Sequence, residues 1–179
     1  MERLLKKLKL VDEFEIELNI QKADFISRLE DKVKPSDLGL FSDSFGAFSS
    51  SKKEYIGSVI QSGFKIKKRK KFFDMNLPFA VAKGKWTERE MSLSIKTKID
   101  GFPRMFILFY VFLIMFYGMF LIGVLLSGEA DGGASKFIFI PFLLIHGTFM
   151  MGIPYLLMRR SLGKLKYDLE REFYFLTKD

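Results

Sequence analysis

The sequence predicts a membrane protein of α+β class: an N-terminal β-α-β-β-β-β domain, an antiparallel two-helix transmembrane hairpin, and a C-terminal amphipathic helix. Three observations predict it. Two 22-residue stretches, 105–126 and 137–158, contain no Asp, Glu, Lys or Arg. The segments ahead of them alternate apolar and polar side chains, the period of a half-buried strand. After them, Leu162, Leu165, Leu169, Phe173 and Leu176 recur at helical spacing.

The first strand is the most regular. Residues 14–20, Phe-Glu-Ile-Glu-Leu-Asn-Ile, alternate without a miss. Glu13, Glu15 and Glu17 therefore share one face, as solvated carboxylates. Residues 22–34 change period: Phe25, Ile26, Leu29 and Val33 form a helical stripe that Pro35 stops. Residues 36–51 are rich in Ser, Gly and Asp and read as a long loop pinned by Phe41, Phe45 and Phe48. Four strands follow at 55–60, 64–69, 79–86 and 91–99, with Met91, Leu93, Ile95, Thr97 and Ile99 on one face. Short turns between them imply an antiparallel meander. The N-terminal run of Leu4, Leu5, Leu8 and Leu10 among Arg3, Lys6, Lys7 and Lys9 suits a short amphipathic helix at a membrane surface or an extension of the first strand.

Each uncharged stretch is long enough to span a hydrocarbon layer, which takes about 20 residues. The domains are then 1–100 for the α+β domain, 105–126 for the first span, 127–136 for an external loop, 137–158 for the second span and 159–179 for the tail. Lys96, Lys98 and Arg104 flank the first span; Arg159, Arg160, Lys164 and Lys166 follow the second; the loop offers Lys136 alone. The positive-inside rule places both termini in the cytosol at an inner (cytoplasmic) membrane. The first residues lack the apolar core and cleavage site of a signal peptide. Pro141 falls in the first turn of the second span, and Pro154 is expected to kink it. His146 and Tyr117 lie at a common depth of the hairpin. An unpartnered polar group in hydrocarbon is costly, so the two are expected to approach as an intramembrane polar pair.

Net charge is +8, and residues 1–104 hold 22 Lys and Arg against 15 Asp and Glu. Lys65, Lys67 and Arg69 share a strand face, and Lys83, Lys85, Lys96 and Lys98 lie on the strands that follow. These residues are the candidates for contact with anionic lipid or another anionic ligand. Lipids of the anionic inner leaflet are the expected partner, since a basic side chain near such a surface contributes about 1 kcal/mol. A homo-oligomer or another membrane protein is the second partner class. Nucleic acid is disfavoured, because no recognition helix or RNP-like motif accompanies the charge.

Cysteine is absent and histidine occurs once. Disulfides, thiolate chemistry and multi-histidine metal sites are therefore excluded within one chain. No nucleophile with its base, phosphate-cradling glycine loop or metal cluster is present, so no catalytic residue, metal or cofactor is assigned. The expectation is a membrane-anchored binding or sensing module. A small pore-type effector is the alternative, and an enzyme using lone groups such as Glu13, Glu15, Asp24 or Lys83 is the second.

Tyr55-Ile56-Gly57, Phe64-Lys65-Ile66-Lys67-Lys68, Pro78 and Gly84-Lys85 together resemble the pattern of an uncharacterised bacterial family with a cytosolic α+β domain followed by two membrane spans. Where that pattern has an Asn-Ser pair before the proline, this chain has Asp74-Met75-Asn76-Leu77. The resemblance implies the architecture from about Phe14 onward and carries no established activity.

Overall fold

A computed structural model describes residues 2–36, 38, 53–69, 78–90, 92–126 and 134–178, with the backbone alone at 134–137. The elements are α1 (Glu2–Lys7), β1 (Val11–Leu18), α2 (Lys22–Lys32), β2 (Val33–Pro35), β3 (Tyr55–Ile60), β4 (Gly63–Lys68), β5 (Val81–Arg89), β6 (Ser92–Asp100), α3 (Met105–Leu126) and α4 (Ala134–Leu176). The chain divides into two compact units, Met1–Phe102 with Leu157–Asp179, and Pro103–Leu156. It has a six-stranded sheet domain followed by two long apolar helices.

The strands of the first unit are ordered β1-β6-β5-β4-β3-β2. β3 to β6 form the expected antiparallel meander, and β1 adds antiparallel to β6. Two details depart from the sequence expectation. Val33 extends the apolar stripe of α2, but the helix ends at Lys32, and Val33–Pro35 pairs in parallel with β3. Pro35 disfavours helical backbone at the residue before it, which leaves this segment free to add to the sheet edge. The carbonyls at the end of α2 are met by Lys53, whose Nζ donates to Glu30 O and Val33 O at 2.9 and 3.1 Å. Residues 36–51, apart from Ser36 and Leu38, lie outside the described residues, as do Met91 and the pinning role expected of Phe41, Phe45 and Phe48.

One sheet face is packed and the other is open. The packed face presents Phe14, Ile16 and Leu18 of β1, Phe64 and Ile66 of β4, Ala82 and Trp86 of β5, and Leu93, Ile95 and Ile99 of β6. α2 covers it with Phe25, Ile26 and Leu29. The final part of α4 covers it as well: Leu162, Leu165, Leu169, Phe173 and Leu176 are all buried in this core. Each such side chain contributes about 1.5–3 kcal/mol by leaving water. Phe25, Phe64, Trp86 and Phe173 form an aromatic cluster, with centroid separations of 5.3 to 5.9 Å. The Trp86 indole N–H donates to Gln61 O at 2.9 Å, so its polar edge is satisfied.

Polar contacts hold the α4 segment to the sheet. Ser161 Oγ accepts from the amides of Phe79 and Ala80 at 3.0 and 3.1 Å, just ahead of β5. Lys166 pairs with Asp12 at 2.9 Å, Lys68 with Asp168, and Lys32 with Glu172 at 3.2 Å. Arg28 donates to Leu176 O at 2.8 Å and so caps a terminal carbonyl of α4. Burial pushes the Tyr55 hydroxyl pKa well above its ordinary range, and the carboxylates of Glu172 and Asp168 add to the effect.

The two apolar helices differ from expectation in two respects. α3 has the expected bounds, but no separate tail helix follows the second apolar stretch: α4 runs unbroken for 43 residues. Arg159 and Arg160 end the apolar run without ending the helix, because a charged side chain leaves the i to i−4 hydrogen bonds intact. α4 also begins at Ala134, which puts Pro141 beyond its first turn. Both helices are long and apolar enough to cross a membrane. In α3 only Leu113 is buried, and Leu108, Phe112, Met115, Met119 and Leu126 are exposed.

Candidate anion-binding face and polar pair

The open face of the sheet collects the lysines. Strand register puts Lys65 opposite Lys83, Lys83 opposite Lys98, and Lys98 opposite Glu13. In the next row Lys85 stands opposite Lys96, and Lys96 opposite Glu15. Alternation brings Lys67 to the same face beside Val81. Like charges directly opposite one another destabilise a strand pair, and this face contains three such pairs.

The charge is graded across the sheet. Toward β1 the lysines are compensated. Lys96 pairs with Glu15 at 3.5 Å, and Lys98 pairs with Glu2 and, at 3.8 Å, with Glu13. Glu15 also accepts from Ser94 at 2.7 Å. That hydrogen bond, with Lys96 nearby, outweighs desolvation and holds the carboxyl below its ordinary range. Glu17 accepts from Ser92 and Arg89 at 2.6 and 3.4 Å. Toward β4 there is no such compensation: Lys65, Lys83 and Lys85 make no ion pair among the described residues. All three are exposed. They form a compact triad whose ammonium groups lack carboxylate partners among the described residues.

Arg69 does not join them. Strand parity assigns it to the same face as Lys65 and Lys67, but β4 ends at Lys68 and Arg69 is only 8% exposed. Its amide donates to Glu54 O at 2.9 Å as the chain leaves the sheet. Lys68 carries the opposite surprise. It occupies an inward position of β4, across from Tyr55, and reaches the buried Asp168 of α4. Its parity with Phe64 and Ile66 was visible in the sequence; its partner, 100 residues away, was not.

In the second unit Tyr117 Oη lies 2.5 Å from His146 Nδ1, joining α3 to α4. The Phe142 ring stacks on the imidazole, with centroids 5.8 Å apart and planes 12° apart. The Tyr110 hydroxyl donates to Met151 O at 3.1 Å, a second crosslink that fixes the antiparallel register. Thr148 Oγ1 donates to Leu144 O one turn back, so this hydroxyl is satisfied within α4. A groove of about 370 Å³ is lined by Met119, Phe120, Gly123, Val124 and Phe139. Its lining is apolar and offers no group for chemistry. Among the described residues no group of three or more His, Asp or Glu side chains is placed to hold a metal ion.

Comparison of the chain with protein-family models, with curated proteins and with solved structures finds no match.

Proposed function

We propose that this chain is a two-span protein of the inner (cytoplasmic) membrane whose cytosolic α+β domain binds phosphate-bearing anions, chiefly lipid headgroups, on its open sheet face. The observation that carries this reading is the Lys65–Lys83–Lys85 triad, exposed and without carboxylate partners among the described residues. The face keeps these ammonium groups in register although their mutual repulsion costs stability, and an anion lying across them offsets that cost. Exposed apolar side chains along α3 and the first part of α4 support the two spans. Both termini are assigned to the cytosol by the basic residues that flank the apolar stretches.

The test uses the full chain in nanodiscs of neutral lipid, titrated with a soluble short-chain phosphatidylglycerol or its phosphatidylcholine counterpart. Binding of the anionic lipid that weakens with salt, and is lost in Lys65→Glu/Lys83→Glu/Lys85→Glu, supports the reading. Equal binding of both lipids, or no effect of the triple substitution, rejects it.

A further inference from the structure

The N-terminal helix leaves two leucines exposed on one side. α1 is only six residues long, too short to persist alone, yet it is fixed at both ends. At its C-terminus Lys9 adopts φ 54°, and the chain reverses through two hydrogen bonds, Lys9 N to Lys6 O at 3.0 Å and Leu10 N to Leu5 O at 2.9 Å. This is the Schellman arrangement, here with lysine where glycine is usual. Leu10 then enters the core. On one side of the helix Glu2 pairs with Lys98 and Lys6 with Glu13, so that side rests on β6 and β1.

Glu2 and Lys6 are four residues apart, as are Leu4 and Leu8, and at 100° per residue the two pairs point in nearly opposite directions. With the charged pair turned to the sheet, Leu4 and Leu8 are 59% and 40% exposed. Arg3 and Lys7, also exposed, lie beside them. Helices on soluble domains bury the apolar side and expose the polar one. This one buries neither side: Glu2 and Lys6 stay exposed although paired, and Leu4 and Leu8 stand exposed with positive charge beside them.

We propose that α1 is a membrane-inserting wedge: Leu4 and Leu8 enter the apolar layer of an anionic lipid surface while Arg3 and Lys7 meet headgroup phosphates. Charge complementarity identifies the occupant. A basic rim around apolar side chains matches an anionic interface, where burial of the leucines and electrostatic attraction act together. A second copy fits poorly, because it would set Arg3 and Lys7 against their own like charges, and two leucines bury far less than the roughly 1,200 Å² of a stable interface. The proposal deepens the membrane reading above and rests on the same class of lipid, but on different residues.

The chain has no cysteine, so single labels are unambiguous. An environment-sensitive fluorophore is placed at Leu8→Cys in the full chain, with Ala23→Cys in α2 as control, and Trp86 emission verifies folding. Nanodiscs contain phosphatidylcholine alone or with phosphatidylglycerol, plus a nitroxide-bearing lipid. The expected result is a blue shift and lipid-borne quenching at position 8 that requires phosphatidylglycerol, falls in Arg3→Glu/Lys7→Glu and in Leu4→Ser, and is absent at position 23. A label at position 8 that remains water-exposed in both lipids overturns the proposal. So does a shielded label with no lipid quenching and a doubled particle mass, which identifies a second copy as the occupant. Carbonate extraction separates the two readings. A chain that stays in the membrane with a water-exposed label loses the wedge alone. A chain stripped by carbonate that nevertheless shows lipid quenching at neutral pH keeps the wedge and loses the spans.

Discussion

Phe64 occupies the space above Gly84: a Cβ at residue 84 would stand 2.0 Å from a carbon of the Phe64 ring. The two face each other across β4 and β5, and the ring continues into the aromatic cluster with Trp86, Phe25 and Phe173. The glycine thus lets an aromatic side chain lie against the backbone of its neighbouring strand. Gly84→Ala is expected to displace the ring and destabilise the domain by about 1–3 kcal/mol. Denaturant unfolding followed through Trp86 emission measures the loss, and an unchanged midpoint refutes the packing argument.

Thr97 lies directly opposite Gly84 on the other side of β5. It is buried, and its Oγ1 has no hydrogen-bond partner among the described residues. A buried hydroxyl that lost its water without gaining a partner lowers stability. Thr97→Val is therefore expected to raise stability by about 1 kcal/mol. A fall in unfolding temperature for this variant would show that the hydroxyl is satisfied.

Lys68 and Asp168 pair with side-chain exposures of 23% and 8%. Removing one partner leaves an uncompensated charge. Asp168→Asn is expected to cost about 2 kcal/mol, less than for a fully buried pair because Lys68 still reaches water. Replacing both, as in Lys68→Met/Asp168→Leu, is expected to restore much of the loss. A double-mutant cycle gives the coupling, and additive single losses would show that the two charges act independently.

Asp12 and Lys166 set a pH dependence. Burial opposes ionisation of Asp12, but hydrogen bonds from Lys166 and the Glu13 amide outweigh it and hold the carboxyl below its ordinary value of 3.8. The unfolded chain then binds the proton more readily, so this stabilisation is complete above the ordinary value and disappears as pH falls through the folded one. Lys166 is shifted the other way. Its hydrogen bond to Asp12 raises it above 10.5 despite burial, so its contribution is complete below 10.5 and is lost as pH rises through the folded value. In a pH series of urea midpoints, Asp12→Asn should differ from the parent most at neutral pH and converge with it in acid. A constant difference throughout would exclude the pair as the cause.

The Tyr117 hydroxyl and His146 are each other's hydrogen-bond partners between α3 and α4. Tyr117→Phe leaves the imidazole nitrogen without this partner and is expected to weaken association of the two helices by about 0.6 kcal/mol, the usual size of such bonds in bilayers. Steric trapping of the helix pair in bicelles measures this. No change in the variant would mean that His146 finds another donor at no cost.

The parts of the fold that were legible in the sequence are those where a period decides the outcome. β1 alternates apolar and polar side chains from Phe14 to Leu18, and Leu162, Leu165, Leu169, Phe173 and Leu176 keep helical spacing. Both were readable because burial on one face is what such periods record. The destination of the second stripe was open, since an amphipathic helix can face its own domain or another copy. Other features have no local signature. The end of α2 at Lys32 depends on Val33 finding β3 as a neighbour. The reversal at Lys9 uses a lysine where the usual signal is glycine. The lysines of the open face could be assigned to strands one by one, but their opposition in rows depends on register. Parity places Arg69 on the open face, but parity says nothing once a strand has ended, and β4 ends at Lys68.

The sheet's two margins have a bearing on aggregation. β2, at one edge, has only three residues and includes Pro35, so it offers little backbone for another strand to join. β1, at the other, is long enough to template pairing, but carries Asp12, Glu13, Glu15 and Glu17 within eight residues. An antiparallel copy of β1 would bring carboxylate toward carboxylate. The same acidic strand that balances Lys96 and Lys98 inside one molecule thus repels its counterpart on another. Acid, by protonating Asp12 and Glu15, weakens this guard together with the Asp12–Lys166 pair, so the conditions that loosen the fold also open its edge to edge-to-edge growth.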